Sequence, residues 1–174
     1  MARAKETVLA VDPGKNLAGV ALFKDGILSA ATLIRAKEPY LVAEGVYEFF
    51  TEEAVADPGM SMDVDRLVTE GQQIYQRSQA DPNDMLPLAQ VVGGVHALLL
   101  AKDRFIPMPR EWKGTLPKEV FSQRILSRLT TEELGVLDAV QAPKSLMHNV
   151  VDGVGLGLWV LGRMDKKKAE WELV

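Results

Sequence analysis

Three short apolar runs, parted by turn dipeptides, fill the first 35 residues, and this restricts the fold more than any other feature of the chain. "TVLAVD" (7–12) is apolar and β-branched at consecutive positions, as a strand buried on both faces must be, and it stops at Pro13-Gly14. "LAGVALFKDGILSAATLI" (17–34) holds two further runs around Asp25-Gly26, a dipeptide suited to a two-residue hairpin in which both central residues take positive φ. A three-stranded meander is therefore expected.

Beyond residue 35 the pattern alternates between helix and strand. Residues 40–55 place Leu41, Val42, Val46, Phe49 and Phe50 near helical spacing, and "DRLVTEG" (65–71) reads as a fourth strand ending in Glu70 and Gly71. "QQIYQRSQADPND" (72–84) has no period and reads as an exposed loop. Residues 85–102 read as a helix whose Gly93-Gly94 pair costs stability unless close packing compensates. "RFIPMP" (104–109) reads as a fifth strand, at an edge because of its prolines. Helices over 116–129, over 130–140 with a Thr-Thr-Glu-Glu start resembling a capping box, and over about 146–164 close the chain. Arg163 and Lys166–Lys168 fall where basic residues favour a helix C-terminus. The alternation implies parallel pairing, hence an α/β fold with a mixed five-stranded sheet and helices on both faces, in one domain spanning 1–174.

Composition narrows the chemistry. The chain has 174 residues and no cysteine, which excludes disulfides, thiolate zinc sites and cysteine nucleophiles. Any metal must be held by carboxylate, imidazole or amide groups, and there are only two histidines, His96 and His148. No apolar run approaches the roughly 20 residues of a membrane span, and the N-terminus lacks the pattern of a secretory signal, so a cytosolic protein is expected. The net charge of -4 argues against binding nucleic acid through bulk positive charge. Between Lys102 and Arg128, however, seven basic residues face three acids, so positive charge is concentrated in that segment.

With the first strand central and the strand at 65–70 beside it, Asp12 and Glu70 fall at the same end of the sheet. Buried carboxylates there need a partner or a metal, since desolvating an unpaired charge costs several kcal/mol. Asp152 has the same difficulty on the apolar last helix, "HNVVDGVGLGLW". His148 and Asn149 lie four and three residues before it, on the same helical face. An oxygen-rich donor set favours Mg²⁺ or Mn²⁺ over zinc, and several carboxylates around two such ions suit in-line attack on a phosphodiester. Each acid also has a plainer role open to it: Asp12 as a turn residue, Glu70 as a cap or the partner of a surface arginine, Asp152 as the partner of a Lys or Arg. His96, on an apolar helix, reads as structural.

"VLAVDPGKNLAGVAL", "RLVTEGQQ", "PREWKGTLPKEVF" and "HNVVDGVGLGLW", taken together and in order, resemble the RuvC-type Holliday junction resolvases of the RNase H-like nuclease superfamily, including bacteriophage-type variants. The resemblance implies an RNase H-like sheet in the order 3-2-1-4-5 with strand 2 antiparallel. It implies Asp12, Glu70 and Asp152 as metal-binding catalytic acids, with two Mg²⁺ per site. The family's fourth ligand stands three residues before the last acid, where this chain has Asn149. His148, one residue earlier, is the stronger candidate because imidazole is the better ligand and also handles protons.

A resolvase of this kind is a homodimer that holds a four-way DNA junction and nicks two opposing strands symmetrically, a two-fold protein on a two-fold substrate. Junction recognition rests on shape and phosphates, so Arg110, Lys113 and Lys118 are the expected phosphate contacts. Lys118, near a helix start, is also the expected catalytic lysine, with an exposed first-turn lysine as its plainer role. Trp112 either stacks on DNA or packs into the core, and Tyr75 is the expected stacking residue for an unpaired base, or else a surface tyrosine. An RNase H-like nuclease acting on RNA or RNA:DNA hybrids, and a non-catalytic adaptor with the same fold, are the alternatives.

Overall fold

The computed structural model describes residues 6–72 and 81–164. Strands β1 (Thr7–Pro13), β2 (Leu17–Lys24) and β3 (Ile27–Arg35) form the expected meander, followed by α1 (Pro39–Ala56), β4 (Val64–Thr69), α2 (Pro82–Leu98) and β5 (Ala101–Phe105). Helices α3 (Pro109–Trp112), α4 (Lys118–Leu126), α5 (Thr131–Asp138) and α6 (Met147–Val160) complete the order. The β2–β3 turn has both expected positive φ values, 52° at Asp25 and 80° at Gly26. The sheet runs β3-β2-β1-β4-β5, with β1–β2 and β2–β3 antiparallel and β1–β4 and β4–β5 parallel.

Every residue of β1 is buried, and successive side chains enter different cores, as the two-residue period of a strand requires. Val8 and Ala10 join Val68, Phe23 and the apolar residues of α6 on one face. Leu9 and Val11 join Leu22, Leu67, Val42, Val46 and Val91 beneath α1 and α2 on the other. The same parity puts Asp12 on the α6 face, and extends β4 so that Thr69 faces α2 while Glu70, one residue beyond the strand, faces α6.

Helix α6 lies almost in contact with the sheet because glycines line the contact. A Cβ on Gly19 would come within 1.9 Å of the Asn149 carbonyl oxygen, and one on Gly153 within 2.7 Å of the Gly19 oxygen. A Cβ on Gly157 would meet the Phe23 ring at 2.1 Å. Gly19 is the register partner of Asp12, so this close approach brings Asp152 to the tip of β1. Gly94 performs the compensation expected of it, its Cβ position lying 2.7 Å from Ala43 of α1, whereas Gly93 faces open space.

Several boundaries differ from the sequence reading. The fifth strand is Ala101–Phe105, not 104–109, because pairing of Val64 with Ala101 and of Val68 with Phe105 takes its first residues into the sheet. Pro107 and Pro109 have no N–H to continue the ladder. Helix α2 correspondingly ends at Leu98 and starts at Pro82, where Asp81 accepts from the Asn83 N–H as N-cap, so residues 82–84 of the expected loop belong to the helix, while 73–80 lie outside the described residues. The four-residue α3 is too short to leave a period in the sequence. Thr130 and Glu133 do form a capping box. Helix α6 stops at Val160, and Arg163, instead of serving its C-terminus, forms an ion pair with Glu133 at 2.6 Å. Glu133 is fully buried there and also accepts from the Leu28 and Thr130 N–H groups. Lys166–Lys168 lie outside the described residues. Among those described, no helix is long and apolar enough to cross a membrane.

Candidate active site

Three acids meet at the end of the sheet where β1 and β4 finish. Asp12 and Asp152 are buried, and the Glu70 side chain is 13% exposed. Pro13 and Gly14 close β1 so that Asp12 projects at its tip, and the Glu70 N–H still donates to the Val11 carbonyl at 3.3 Å, which fixes Glu70 beside it. Burial first, then the negative charges of Glu70 and Asp152, hold the Asp12 carboxyl well above the usual carboxylate range. Lys113 opposes that shift, and a hydrogen bond between Asp12 and Glu70 adds to it.

The cation in the cluster is Lys113. Its Nζ lies 3.0 Å from Glu70 Oε1 and 3.2 Å from Asp152 Oδ2. Burial alone would lower the Lys113 pKa, but Glu70, Asp152 and Asp12 overrule it and hold the amine above its ordinary value. The ammonium also stands 4.6 Å from the centroid of the Trp112 ring. Trp112 packs edge-on against Phe121 at 5.2 Å and donates its indole N–H to the same Glu70 oxygen at 3.0 Å. Of the two roles read for Trp112, the structure places it in the core.

Behind Glu70, Thr69 Oγ1 is 3.0 Å from His96 Nε2, and Arg104 reaches the other ring nitrogen at 3.2 Å and the His96 carbonyl at 2.7 Å. Burial and then the Arg104 charge hold His96 below its usual pKa. A neutral ring accepting from Arg104 at Nδ1 donates from Nε2 to Thr69, so both ring nitrogens of His96 are engaged within the fold.

The other expected site residues are scattered around this cluster. Asn149 donates its side-chain amide to the Leu146 carbonyl at 3.0 Å, which turns its nitrogen back onto the start of α6. His148 is half-buried, and its side chain makes no hydrogen bond or ion pair among the described residues. Lys118 is exposed at the first position of α4 and, with Lys113, Leu116, Phe121 and Asp152, lines a pocket of about 240 Å³. Arg110 is exposed on α3. Tyr75 lies outside the described residues. Sequence reasoning assigned Lys113 to the DNA-facing surface and gave Trp112 no part in orienting Glu70. The signal available for both was their position just after a strand that adjoins the glutamate strand.

Chemically, the donor set fits a hard divalent cation: three carboxylates meet at one end of the sheet, two of them hold Asp12 above its ordinary value, and an ammonium is drawn in among them. As the side chains stand, no group of three or more His, Asp or Glu among the described residues is disposed to hold an ion.

No protein-family model matches the sequence. No curated protein matches it either. Among solved structures, the chain is similar to T. thermophilus RuvC in complex with a Holliday junction substrate, with a TM-score of 0.53 at 11% identity, over 91% of this chain and 97% of that one. It is similar to a second Thermus thermophilus RuvC structure, with a TM-score of 0.52 at 12% identity, over 90% and 97% of the two chains. The yeast mitochondrial Holliday junction resolvase Ydc2 matches with a TM-score of 0.58 at 10% identity, over 90% of this chain and 78% of that one. The likeness is one of fold: this chain has the RNase H-like fold of RuvC, with the expected 3-2-1-4-5 sheet.

Proposed function

We propose that this protein is a metal-dependent, structure-selective DNA endonuclease that resolves four-way junctions by paired symmetric nicks. The observation that carries the reading is the meeting of Asp12, Glu70 and Asp152, from β1, the end of β4 and α6, at one end of a RuvC-like sheet. Three acids from three separate elements, kept together at the cost of a strongly raised carboxyl pKa, suit cation-assisted chemistry better than structural pairing. Asp12, Glu70 and Asp152 would hold Mg²⁺, or Mn²⁺ in its place, with His148 as fourth donor in preference to Asn149. Two such ions, when bound, supply activation of water and stabilisation of the leaving oxygen in an in-line displacement.

The chain's own groups do the rest. The Trp112 N–H holds Glu70 in one orientation, and Lys118 offers a cation at the rim of the pocket beside Asp152. Arg110 and Lys113 belong to the locally basic segment that would meet the phosphates. A two-fold junction calls for two copies of the chain, each cutting one strand.

Incubating the purified protein with a synthetic four-way junction tests the reading. Symmetric paired nicks are expected with Mg²⁺ or Mn²⁺ and none with EDTA, while Asp12→Asn binds the junction without cutting it. An intact junction with both ions refutes the assignment. Preferential cutting of an RNA:DNA hybrid of equal length, added as competitor, would transfer it to the RNase H class.

A further inference from the structure

The positive charge among the three carboxylates is one the chain supplies itself. Lys113 is aimed inward by its backbone: its N–H donates to the Pro109 carbonyl at 2.9 Å, and Gly114, at φ 66°, turns the chain away immediately afterwards. From there the Nζ reaches one oxygen of Glu70 and one of Asp152, with the Trp112 ring beneath it. Burying carboxylates together without a cation is strongly unfavourable, and the ammonium offsets part of that penalty for Glu70 and Asp152. The donor chemistry is right for a divalent ion, yet among the described residues no three such donors are set to ligate one, and the ammonium lies between Glu70 and Asp152.

We propose that Lys113 is the resident counter-ion of the metal site, holding Glu70 and Asp152 in the ion-free protein, and that a divalent cation enters by displacing its ammonium. The inference rests on the reading of these acids as metal ligands. The displaced group has somewhere to go. Lys113 already lines the pocket of about 240 Å³ that opens beside Asp152 and is shared with Lys118. Its four-carbon stem lets the ammonium swing there while the backbone stays fixed. Two lysines then face the same pocket, so arrival of the ion frees a second positive charge for an oxygen of the DNA backbone. Metal binding and phosphate binding become favourable to each other through one side chain.

Two measurements made without DNA test this. In calorimetric titration with Mn²⁺, Lys113→Gln should bind the ion at least 10-fold more tightly than wild type, equivalent to about 1.4 kcal/mol, because no ammonium has to leave. Lys113→Arg, which keeps a cation, should stay near wild type. On the unmodified protein, reductive methylation of Lys113, read by peptide mass spectrometry, should be slow in EDTA and rise several-fold when Mn²⁺ is added. This second measurement needs no variant to fold. Equal or weaker Mn²⁺ binding by Lys113→Gln, or Lys113 reactivity indifferent to the ion, overturns the inference. A wild type that takes Mn²⁺ and releases Lys113, yet leaves a four-way junction intact, removes the substrate reading and keeps this one. Junction cutting with unchanged Lys113 reactivity does the reverse.

Discussion

Gly19→Ala tests how the site is assembled. The added Cβ would lie 1.9 Å from the Asn149 carbonyl oxygen, 2.2 Å from its carbon and 2.7 Å from the Val150 nitrogen, all helix backbone with no rotamer to yield. A carbon atom approaches a carbonyl oxygen no closer than about 3.3 Å, so α6 must retreat from β2 by about 1.4 Å or the strand must bend. Overpacking of this kind costs about 1–3 kcal/mol, against which alanine recovers about 0.5–1 kcal/mol of glycine's conformational entropy. For a chain of this length each kcal/mol lowers Tm by about 2–4 °C, so a fall of several degrees is expected in a thermal melt followed by circular dichroism. The same retreat carries Asp152 away from Asp12. A misplacement of about 1 Å in a catalytic constellation can cost about 100-fold in rate, and junction cutting should fall by that order. Gly93→Ala is the control: nothing lies within 4 Å of its Cβ, and it should stabilise α2 by about 0.5–1 kcal/mol. If Gly19→Ala melts and cuts like wild type, the glycine contact does not set the position of α6, and something other than that contact brings Asp152 to the site.

Three other outcomes are expected. Glu133→Gln breaks the buried pair with Arg163 and should cost about 3–5 kcal/mol in urea denaturation at neutral pH. Burial would raise the Glu133 pKa, but Arg163 and the N–H groups of Leu28 and Thr130 hold it below the usual value. Its stabilisation is therefore complete above the ordinary carboxylate range and lost as pH falls through the lower folded value, so the gap between wild type and Glu133→Gln should narrow in acid. A gap that is constant across that pH range would show that folding does not lower the Glu133 pKa. Trp112→Phe keeps an aromatic beside Phe121 but removes the donor to Glu70; it should cost about 0.5–1.5 kcal/mol in stability and weaken Mn²⁺ binding, as read by calorimetry. Asp12→Asn should retain the fold and lose cutting, as gel analysis of junction products will show.

The sheet was legible because its information is local. Apolar runs at consecutive positions, Asp25-Gly26 with its two positive φ values, and the Thr130–Glu133 capping box each act within a few residues, and each appears where the sequence puts it. The pairing of β4 beside β1 came from the alternation of elements, which placed Asp12 and Glu70 at one end. Glycines at 153, 155 and 157 are plain in the sequence of the last helix. What they approach, the Gly19 backbone, the Trp112 and Ile125 side chains and the Phe23 ring, came only with the fold.

The misreadings lie where a distant partner overrides local pattern. Ala101 and Lys102 read as the tail of a helix, with the strand beginning only at Arg104, until β4 offers the whole of 101–105 a parallel ladder, and Arg163 reads as a helix-terminal charge until Glu133, thirty residues away, takes it into a buried pair. Lys113 is the clearest case. By composition it belongs to a basic surface segment, and only the meeting of three carboxylates from separate elements draws its ammonium inward. Sequence by itself therefore determined which residues could form strands, turns and caps, and which acids would be buried at strand ends, because those depend on period and local chemistry. Tertiary structure alone decided which charge answers them, because Coulombic attraction in a buried site depends on proximity in space, and residues 12, 70, 113 and 152 are neighbours only after folding.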